Sequence, residues 1–180
     1  MSAIARYFNA KGVVVSGYDK TATPLTKQLE AEGIKVHFED NIEFIDKEAQ
    51  VVVYTPAVPK NHTELNYCQQ NNYTVVKRSD VLGAITNSSF NICVAGTHGK
   101  TTITTMTAHI LRDSGYGCNA FLGGIAANYQ TNFWSSDRNV CIAKPIFRHQ
   151  NDIFSSFWFQ SVTSVKPLTQ YRVNPSASMP

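Results

Sequence analysis

Short apolar runs alternate along the first 142 residues with segments whose apolar residues recur at helical spacing. The runs are rich in β-branched residues and end in turn residues, as buried strands do. This alternation predicts an α/β fold in which helices cover the faces of parallel sheets. We expect strands at residues 13–17, 35–38, 50–54, 74–76, 90–95, 118–121 and 139–142.

The helices are predicted from capping residues and from periodicity. Thr23 followed by Pro24 is typical of a helix start, and Gly33 is typical of its end. A second helix is expected around Leu65, and a third is expected to begin with Ser79 as its cap. A long helix is predicted over residues 100–113, and the apolar residues on one of its faces are expected to contact a core: Ile103, Met106 and Ile110.

The pattern changes along the chain in two places. A second unit begins near residue 87, where a polar Asn-Ser-Ser segment precedes a new strand. From residue 143 onward helix and strand periodicity disappear, Asp152 is the only acidic residue, and aromatic residues cluster between Phe154 and Phe159. We therefore leave residues 143–180 without a structural assignment and expect the aromatic cluster to be an exposed aggregation risk.

Composition and charge exclude several classes of protein. The 180-residue chain is 43% hydrophobic and has a net charge of +3, with no run of Lys and Arg to follow a nucleic-acid backbone. No apolar stretch is long enough to span a membrane, and the first residues lack the layout of a signal peptide. The four cysteines are far apart, which favours free thiols in a reducing compartment. We expect a cytoplasmic protein that binds neither nucleic acid nor membrane.

The segment from Gly96 to Thr102, with the sequence Gly-Thr-His-Gly-Lys-Thr-Thr, lies between a predicted strand and a predicted helix. Glycines let successive N–H groups point at phosphate oxygens, and the helix N-terminus adds partial positive charge. Lysine supplies a full charge for the β- and γ-phosphates, and the following threonine hydroxyl is suited to Mg²⁺. We therefore expect ATP at Gly96, Thr97, His98, Gly99, Lys100, Thr101 and Thr102, with Lys100 catalytic and Thr101 at the metal.

This loop departs from the general phosphate-loop pattern in one respect. That pattern has a further glycine five residues before Gly99, where this chain has Val94. The departure argues against general NTPases and favours proteins with a shortened loop. A glycine turn with an exposed lysine is the structural alternative, and it does not explain why strand, glycines, Lys-Thr and helix coincide.

The run Gly96–Thr102 resembles the ATP loop of the Mur ligase family, within it the members that add L-alanine to UDP-N-acetylmuramate. Segments 16–19, 54–58, 77–82, 121–125 and 128–129 are also similar to that family, so the resemblance covers about residues 1–142. It implies a Rossmann-like UDP-sugar-binding domain at residues 1–86 that lacks its first strand. The start of a P-loop-type ATP-binding domain would then follow at residues 87–142.

The resemblance also implies the reaction. Such ligases use ATP and Mg²⁺ to phosphorylate a carboxylate, and an amine then attacks the acyl phosphate. The implied substrates are UDP-N-acetylmuramate and L-alanine. The implied UDP-sugar contacts are Asp19, Thr55, Pro56, Ala57, Gly123 and Gly124. Each of these residues also has a structural explanation as a turn residue, and the sequence leaves both open.

Two features lead us to expect an incomplete and inactive ligase. In the family a strand and a glycine-rich loop precede the first helix, and an acidic segment follows the position of Ile142, where this chain has Ala143-Lys144-Pro145. Two alternatives remain open: a related ligase that attaches a recycled tripeptide to the same sugar nucleotide, and a nucleotide-binding fragment without catalysis. The sequence does not indicate an oligomeric state.

Overall fold

The computed structural model describes residues 1–143, and the predicted tail from Lys144 onward, including His149 and the aromatic cluster, lies outside the described residues. The described helices are α1 Ser2–Ala10, α2 Pro24–Ala31, α3 Thr63–Gln70, α4 Arg78–Asn87 and α5 Lys100–Asp113. The described strands are β1 Ser16–Tyr18, β2 Lys35–His37, β3 Val51–Tyr54, β4 Thr74–Lys77, β5 Phe90–Cys93, β6 Asn119–Ala126, β7 Thr131–Trp134 and β8 Val140–Ala143. Each described helix is too short or too polar to cross a membrane.

The described chain divides into two compact units between Val81 and Leu82. In the first unit β1 pairs with β2 in parallel, and β3 pairs with β4 in parallel. Helix α2 connects the first pair and α3 connects the second, so each pair is a β-α-β crossover. The predicted α/β class with parallel sheets is confirmed.

Local signals explain where α2 begins. The Thr23 side chain accepts a hydrogen bond from the Thr26 N–H at 3.2 Å, and the Thr26 hydroxyl accepts one from the Thr23 N–H at 2.8 Å. This reciprocal arrangement satisfies two N–H groups at the start of the helix, and Pro24 follows at its first position. The predicted start of α2 at Thr23-Pro24 is confirmed.

The second unit contains a four-stranded sheet in the order β5-β8-β6-β7. The first three strands are parallel, and β7 pairs antiparallel with β6 at the edge. All four residues of β8 are buried, as expected for a central strand covered on both faces. Helix α5 packs against β6 and β8. The core includes Ala108, Cys118, Ala120, Leu122, Trp134, Val140 and Ile142.

The predicted buried face of α5 is wrong. Ile103, Met106 and Ile110 are 50%, 59% and 62% exposed, while Thr104 and Ala108 are fully buried. Small side chains let the helix approach the sheet closely, so Thr104 and Ala108 form its contact face although the larger apolar residues lie elsewhere. Apolar periodicity identified the helix but not the side that meets the core.

Three other local predictions differ from the structure. Helix α4 begins at Arg78, directly after β4, so Ser79 lies inside the helix and is not its cap. Strand β1 begins at Ser16, because pairing with β2 starts there, and Val14 is 79% exposed. Strand β7 was not predicted at all. Its turn from β6 depends on Gln130, which adopts a positive φ of 51° without being a glycine.

The prediction that the cysteines are free thiols is confirmed for all four. Cys68, Cys93, Cys118 and Cys141 are all free thiols. Burial raises the pKa of each of them, most strongly for Cys141. The buried thiols therefore behave as small apolar side chains.

Candidate functional site

The segment between β5 and α5 leaves the sheet beside the end of β8. The Val94 N–H donates to the Ala143 carbonyl at 3.4 Å, which extends the β5–β8 pairing by one residue into the loop. The carboxyl ends of two parallel strands therefore lie at the base of the loop. This edge is where ligands bind in open parallel sheets.

Two glycines shape the loop through positive φ angles. Gly96 has a φ of 142°, and Gly99, the residue before α5, has a φ of 73°. Side chains rarely adopt these conformations, so the loop path requires glycine at both positions. Among the described residues no side chain caps the start of α5, so its first N–H groups face outward at the positive end of the helix dipole.

Lys100 lies across this loop. Its Nζ donates to the Gly96 carbonyl at 2.6 Å and to the Thr97 carbonyl at 3.0 Å. The ammonium group is therefore held at the mouth formed by the loop backbone, where a phosphate would meet it. Competing oxygens of higher negative charge would replace these carbonyls readily.

The first turn of α5 is held by hydroxyl groups from the next turn. Thr104 Oγ1 donates to the Lys100 carbonyl at 2.6 Å, and Thr105 Oγ1 donates to the Thr101 carbonyl at 2.8 Å. These bonds fix the backbone from which the Lys100 and Thr101 side chains project. Sequence reasoning missed this support, although the repeated Thr-Thr pairs in α5 were its visible signal.

The geometry is compatible with Mg²⁺ held mainly by phosphate oxygens. No group of three or more His, Cys, Asp or Glu side chains among residues 1–143 is placed to hold a metal ion. Mg²⁺ at phosphate sites keeps several waters and takes only one or two protein ligands. The half-buried Thr101 hydroxyl at the start of α5 meets that requirement. Thr97 and His98 in the loop and Thr102 in α5 are exposed.

One glycine predicted to contact the UDP-sugar lies beside the loop from Gly96 to Thr102, at the start of α5. A Cβ atom at Gly124 would be 3.9 Å from the Thr101 methyl group, so this part of β6 borders the start of α5. Gly123 and Gly124 are both exposed, in contrast to the buried residues 119–122 before them. Exposed backbone at this point leaves room for a ligand next to the loop.

The remaining predicted UDP-sugar residues lie in the first unit, after its strands. Asp19 directly follows β1, and its carboxylate accepts a hydrogen bond from the Thr21 N–H at 3.2 Å. Thr55, Pro56 and Ala57 form the turn after β3, where the Val58 N–H donates to the Thr55 carbonyl at 3.0 Å. Both segments are at strand carboxyl ends, the expected position for ligand contacts. Their role as UDP-sugar contacts stays a prediction.

The described histidines outside the loop have protein partners. His37 Nε2 lies 3.0 Å from a Glu64 carboxylate oxygen, and His62 Nδ1 lies 3.3 Å from an Asp40 oxygen. His109 is hydrogen-bonded to the Tyr129 hydroxyl. Each of these contacts lies within one unit, and none of them involves residues 96–102.

Comparison with known proteins decides the family. The family model described as "Mur ligase family, catalytic domain" matches residues 1–90, half of the chain. The chain belongs to the Mur ligase family. The resemblance inferred from the ATP loop and the flanking segments is thereby confirmed, and an unrelated phosphate-loop NTPase is excluded.

Individual Mur ligases match beyond residue 90. The UDP-N-acetylmuramate–L-alanine ligase of Porphyromonas gingivalis strain W83 is 56% identical over 144 residues, covering 77% of this chain and 32% of the relative. The ligase of the same description from Parabacteroides distasonis is 54% identical over 142 residues, covering 76% and 31%. This Mur ligase chain therefore spans about a third of the length of the curated relatives it matches.

Solved structures of Mur ligases have the same fold. The UDP-N-acetylmuramate-alanine ligase of Thermotoga maritima matches with a TM-score of 0.69 at 28% identity, covering 78% of this chain and 33% of that one. A ligase from Neisseria meningitides, described as UDP-N-acetylmuramate:L-alanyl-gamma-D-glutamyl-meso-diaminopimelate ligase, matches with a TM-score of 0.68 at 24% identity. It covers 78% of this chain and 47% of that one, and it supports the fold alone.

Proposed function

We propose that this chain carries the UDP-sugar-binding and ATP-binding parts of a cytoplasmic ligase of peptidoglycan precursor synthesis. The proposed reaction joins L-alanine to UDP-N-acetylmuramate through an acyl phosphate. Residues 1–86 form the UDP-sugar-binding domain, and residues 87–142 begin the ATP-binding domain. The observation that carries the proposal is the loop from Gly96 to Thr102, with Lys100 held across its mouth at the start of α5.

ATP, when bound, supplies the phosphoryl group that activates the lactyl carboxylate of the sugar nucleotide. The loop N–H groups and the start of α5 orient the phosphates. Lys100 exchanges the Gly96 and Thr97 carbonyls for phosphate oxygens and stabilises negative charge on the transferring group. The Thr101 hydroxyl is the protein ligand for Mg²⁺.

The UDP-sugar contacts are proposed at Asp19, at Thr55, Pro56 and Ala57, and at Gly123 and Gly124. Support comes from the positions of Asp19 and of residues 55–57 at strand carboxyl ends, and from the proximity of Gly124, which lies within β6, to Thr101. Exposed backbone at Gly123-Gly124 would place the sugar nucleotide next to the phosphate loop. Such an arrangement brings the carboxylate toward the γ-phosphate, as phosphoryl transfer requires.

L-Alanine is favoured over a recycled tripeptide as the second substrate because the relatives that are 54–56% identical are all L-alanine ligases. Two neighbours with a peptide-ligase description are 24% identical and support the fold alone, and a third, a pseudomurein peptide ligase, is 26% identical. The third candidate, a fragment that binds nucleotides without a catalytic role, predicts that joining residues 1–143 to the rest of a related ligase restores no phosphate release.

Replacing Lys100 by alanine tests the ATP site. We expect Lys100→Ala to weaken MgATP binding by about tenfold to a hundredfold, because a hydrogen bond to a charged group is lost. Isothermal titration calorimetry on the 180-residue chain measures this change. Lys27→Ala is the matched control, since Lys27 is an exposed lysine on α2. Equal MgATP affinity in wild type and Lys100→Ala would refute the assigned role of the loop.

A further inference from the structure

The two parallel sheets of the first unit carry different parts of the proposed UDP-sugar site. Asp19 follows β1, whereas residues 55–57 follow β3. Within residues 1–143 neither β1 nor β2 pairs with β3 or β4, so no hydrogen-bonded ladder joins the two sheets. A ligand that touches both turns therefore depends on the side chains that hold the sheets together.

Glu64, in the first turn of α3, holds the end of β2. Its two carboxylate oxygens lie 3.0 and 3.1 Å from His37 Nε2, and one of them also accepts the Asn41 N–H at 3.0 Å. A carboxylate only accepts hydrogen bonds, so Nε2 carries the hydrogen in this contact. Glu64 is 8% exposed, and a buried carboxylate that loses a partner is costly. The contact therefore fixes the end of β2 against α3.

Asp40 makes the reverse connection, from the segment after β2 to the start of α3. Its carboxylate accepts the Thr63 N–H at 2.8 Å and the Glu64 N–H at 3.0 Å. Desolvation acts to raise the pKa of Asp40, but these hydrogen bonds and the nearby His62 outweigh it and hold the pKa below its ordinary value. The charged carboxylate therefore caps the positive end of the helix. The residues joined in this way, which we call the α3 clasp, are His37, Asp40, Asn41, Thr63 and Glu64.

The α3 clasp is continuous with both proposed ligand turns. The Asp19 N–H donates to the His37 carbonyl at 3.1 Å, so the backbone at the end of β2 orients Asp19. The ring of Tyr18, one residue earlier, packs edge-on against the His62 ring with 4.6 Å between their centres. His62 is the residue before α3, and the chain reaches it within five positions of the turn at residues 55–57.

We propose that His37 and Glu64 are positioning residues for the sugar nucleotide. Through the α3 clasp they hold Asp19 and residues 55–57 at the separation at which one UDP-sugar contacts both turns. The inference rests on the proposed function, because the turns are UDP-sugar contacts only under that proposal. Turns that are already fixed do not have to be ordered by the ligand, so the pair raises affinity without touching it.

His37→Phe removes the donor to Glu64 but keeps an aromatic ring beside Phe44, whose centre lies 5.3 Å from that of His37. We expect it to weaken binding of UDP-N-acetylmuramate by about threefold to tenfold, because the ligand must then order the two turns itself. Isothermal titration calorimetry on the 180-residue chain measures this, at a temperature where urea unfolding shows both proteins to be folded. MgATP affinity should not change, because residues 96–102 lie in the other unit.

His37→Gln tests whether the donor itself is responsible, since the glutamine amide restores an N–H group for Glu64. It should recover most of the affinity that His37→Phe loses. Asp40→Ala breaks the clasp from its other side, at a side chain that is 29% exposed, and should also weaken binding by about threefold to tenfold. His109→Phe is the matched control: it makes the same substitution at a histidine bonded to Tyr129 in the second unit, and the affinity should stay unchanged.

Amide hydrogen exchange at Asp19 tests the clasp without a ligand. Because this N–H is bonded to the His37 carbonyl, its exchange should be faster in His37→Phe by about threefold or more. Exchange at Ala120, which is buried in the second unit, should not change. Unchanged exchange at Asp19 would contradict the role of the clasp, as would a loss of affinity that His37→Gln does not reverse.

The two measurements separate failure of the inference from failure of the proposed function. Suppose that the wild type binds UDP-N-acetylmuramate and that His37→Phe and Asp40→Ala bind it equally well. The positioning role is then refuted, and the proposed function stands. If the wild type does not bind the sugar nucleotide although Asp19 exchanges faster in His37→Phe, the assigned UDP-sugar site is wrong and the positioning role is overturned with it.

Discussion

At the residue scale, Cys141 has the most strongly altered ionisation among the described side chains. It is fully buried in β8, one of the two central strands of the β5-β8-β6-β7 sheet. Burial, followed by the neighbouring thiols of Cys93 and Cys118, raises the pKa of Cys141 from 9.0 to about 12. A thiolate at this position would be charged and without water, so the folded protein keeps the thiol protonated.

This pKa predicts how stability depends on pH. The folded pKa lies above the unfolded one, so the stabilisation is fully present below pH 9.0 and is lost as the pH rises toward about 12. Urea unfolding of wild type and of Cys141→Ala across this range measures the effect. The wild type should lose more stability than the variant, which has no thiol to ionise. Parallel losses in the two proteins would contradict the assigned pKa.

Substitutions at two glycines in the turn after α5 allow the cost of backbone strain to be measured separately from the cost of a steric clash. Gly115 and Gly117 have similar φ angles of 75° and 83°, yet only Gly117 has a close neighbour, Ser136. Gly115→Ala should cost about 1–2 kcal/mol from the left-handed backbone alone. Gly117→Ala should cost a further 1–3 kcal/mol, roughly, from overpacking. Chemical denaturation measures both, and equal costs would show that Ser136 moves aside freely.

At the element scale, α5 shows that hydrophobicity and burial are separate properties of a helix. Its large apolar residues Ile103, Met106 and Ile110 are at least half exposed. The face that contacts the sheet is formed by Thr104 and Ala108. Close packing of the helix on β6 and β8 requires small side chains at that face. The hydroxyl of Thr104 is satisfied by the Lys100 carbonyl, which makes its burial possible.

Substitutions on the two faces of α5 should therefore differ in how much they reduce the stability of the protein. Ala108→Leu should destabilise the protein by about 1–3 kcal/mol, because Ala108 has no exposed surface and the larger side chain overpacks the core. Ile110→Lys should change stability by no more than about 0.5 kcal/mol, as expected for an exposed position. Urea unfolding compares them. A large loss in Ile110→Lys would show that another part of the chain covers this face.

At the scale of the whole molecule, the length of the match bears on activity. The 144 matched residues correspond to 32% of the Porphyromonas gingivalis ligase. The role proposed for the loop is to bind and orient phosphates, but the proposed ligation also requires sites for the sugar nucleotide and the amino acid. Binding of MgATP at the loop and catalysis of ligation can therefore be measured in separate experiments.

We expect the 180-residue chain to bind MgATP without L-alanine-dependent phosphate release. A chimera of residues 1–143 with the remaining part of the Porphyromonas gingivalis ligase should release phosphate when UDP-N-acetylmuramate and L-alanine are both present. Lys100→Ala in the chimera should abolish this release, since the charge on the transferring phosphoryl group is then unopposed. Turnover by the purified 180-residue chain would refute the expectation, and a tripeptide that replaces L-alanine would favour the alternative acceptor.

The sequence by itself determined the features that depend on neighbours along the chain. Local backbone preferences and short-range hydrogen bonds determine three of these features. They are the capped start of α2, the bounds of α5 at residues 100–113, and the glycine loop that precedes α5. The same local pattern was sufficient to identify the family. The strand at residues 139–142 was also predicted, because its apolar run is visible in the sequence, and the structure has β8 at Val140–Ala143.

Only the tertiary structure decided which surfaces meet. Several features join residues that are distant in sequence. They are the contact face of α5, the antiparallel pairing of β7, the proximity of Gly124 to Thr101, and the convergence of Arg112, Trp134 and Ser136. Such contacts depend on the shape and approach of neighbouring elements, and apolar periodicity along a single element does not contain that information. The loop from Gly96 to Thr102 is local and was predictable, whereas the approach of Gly124 to Thr101 exists only through packing.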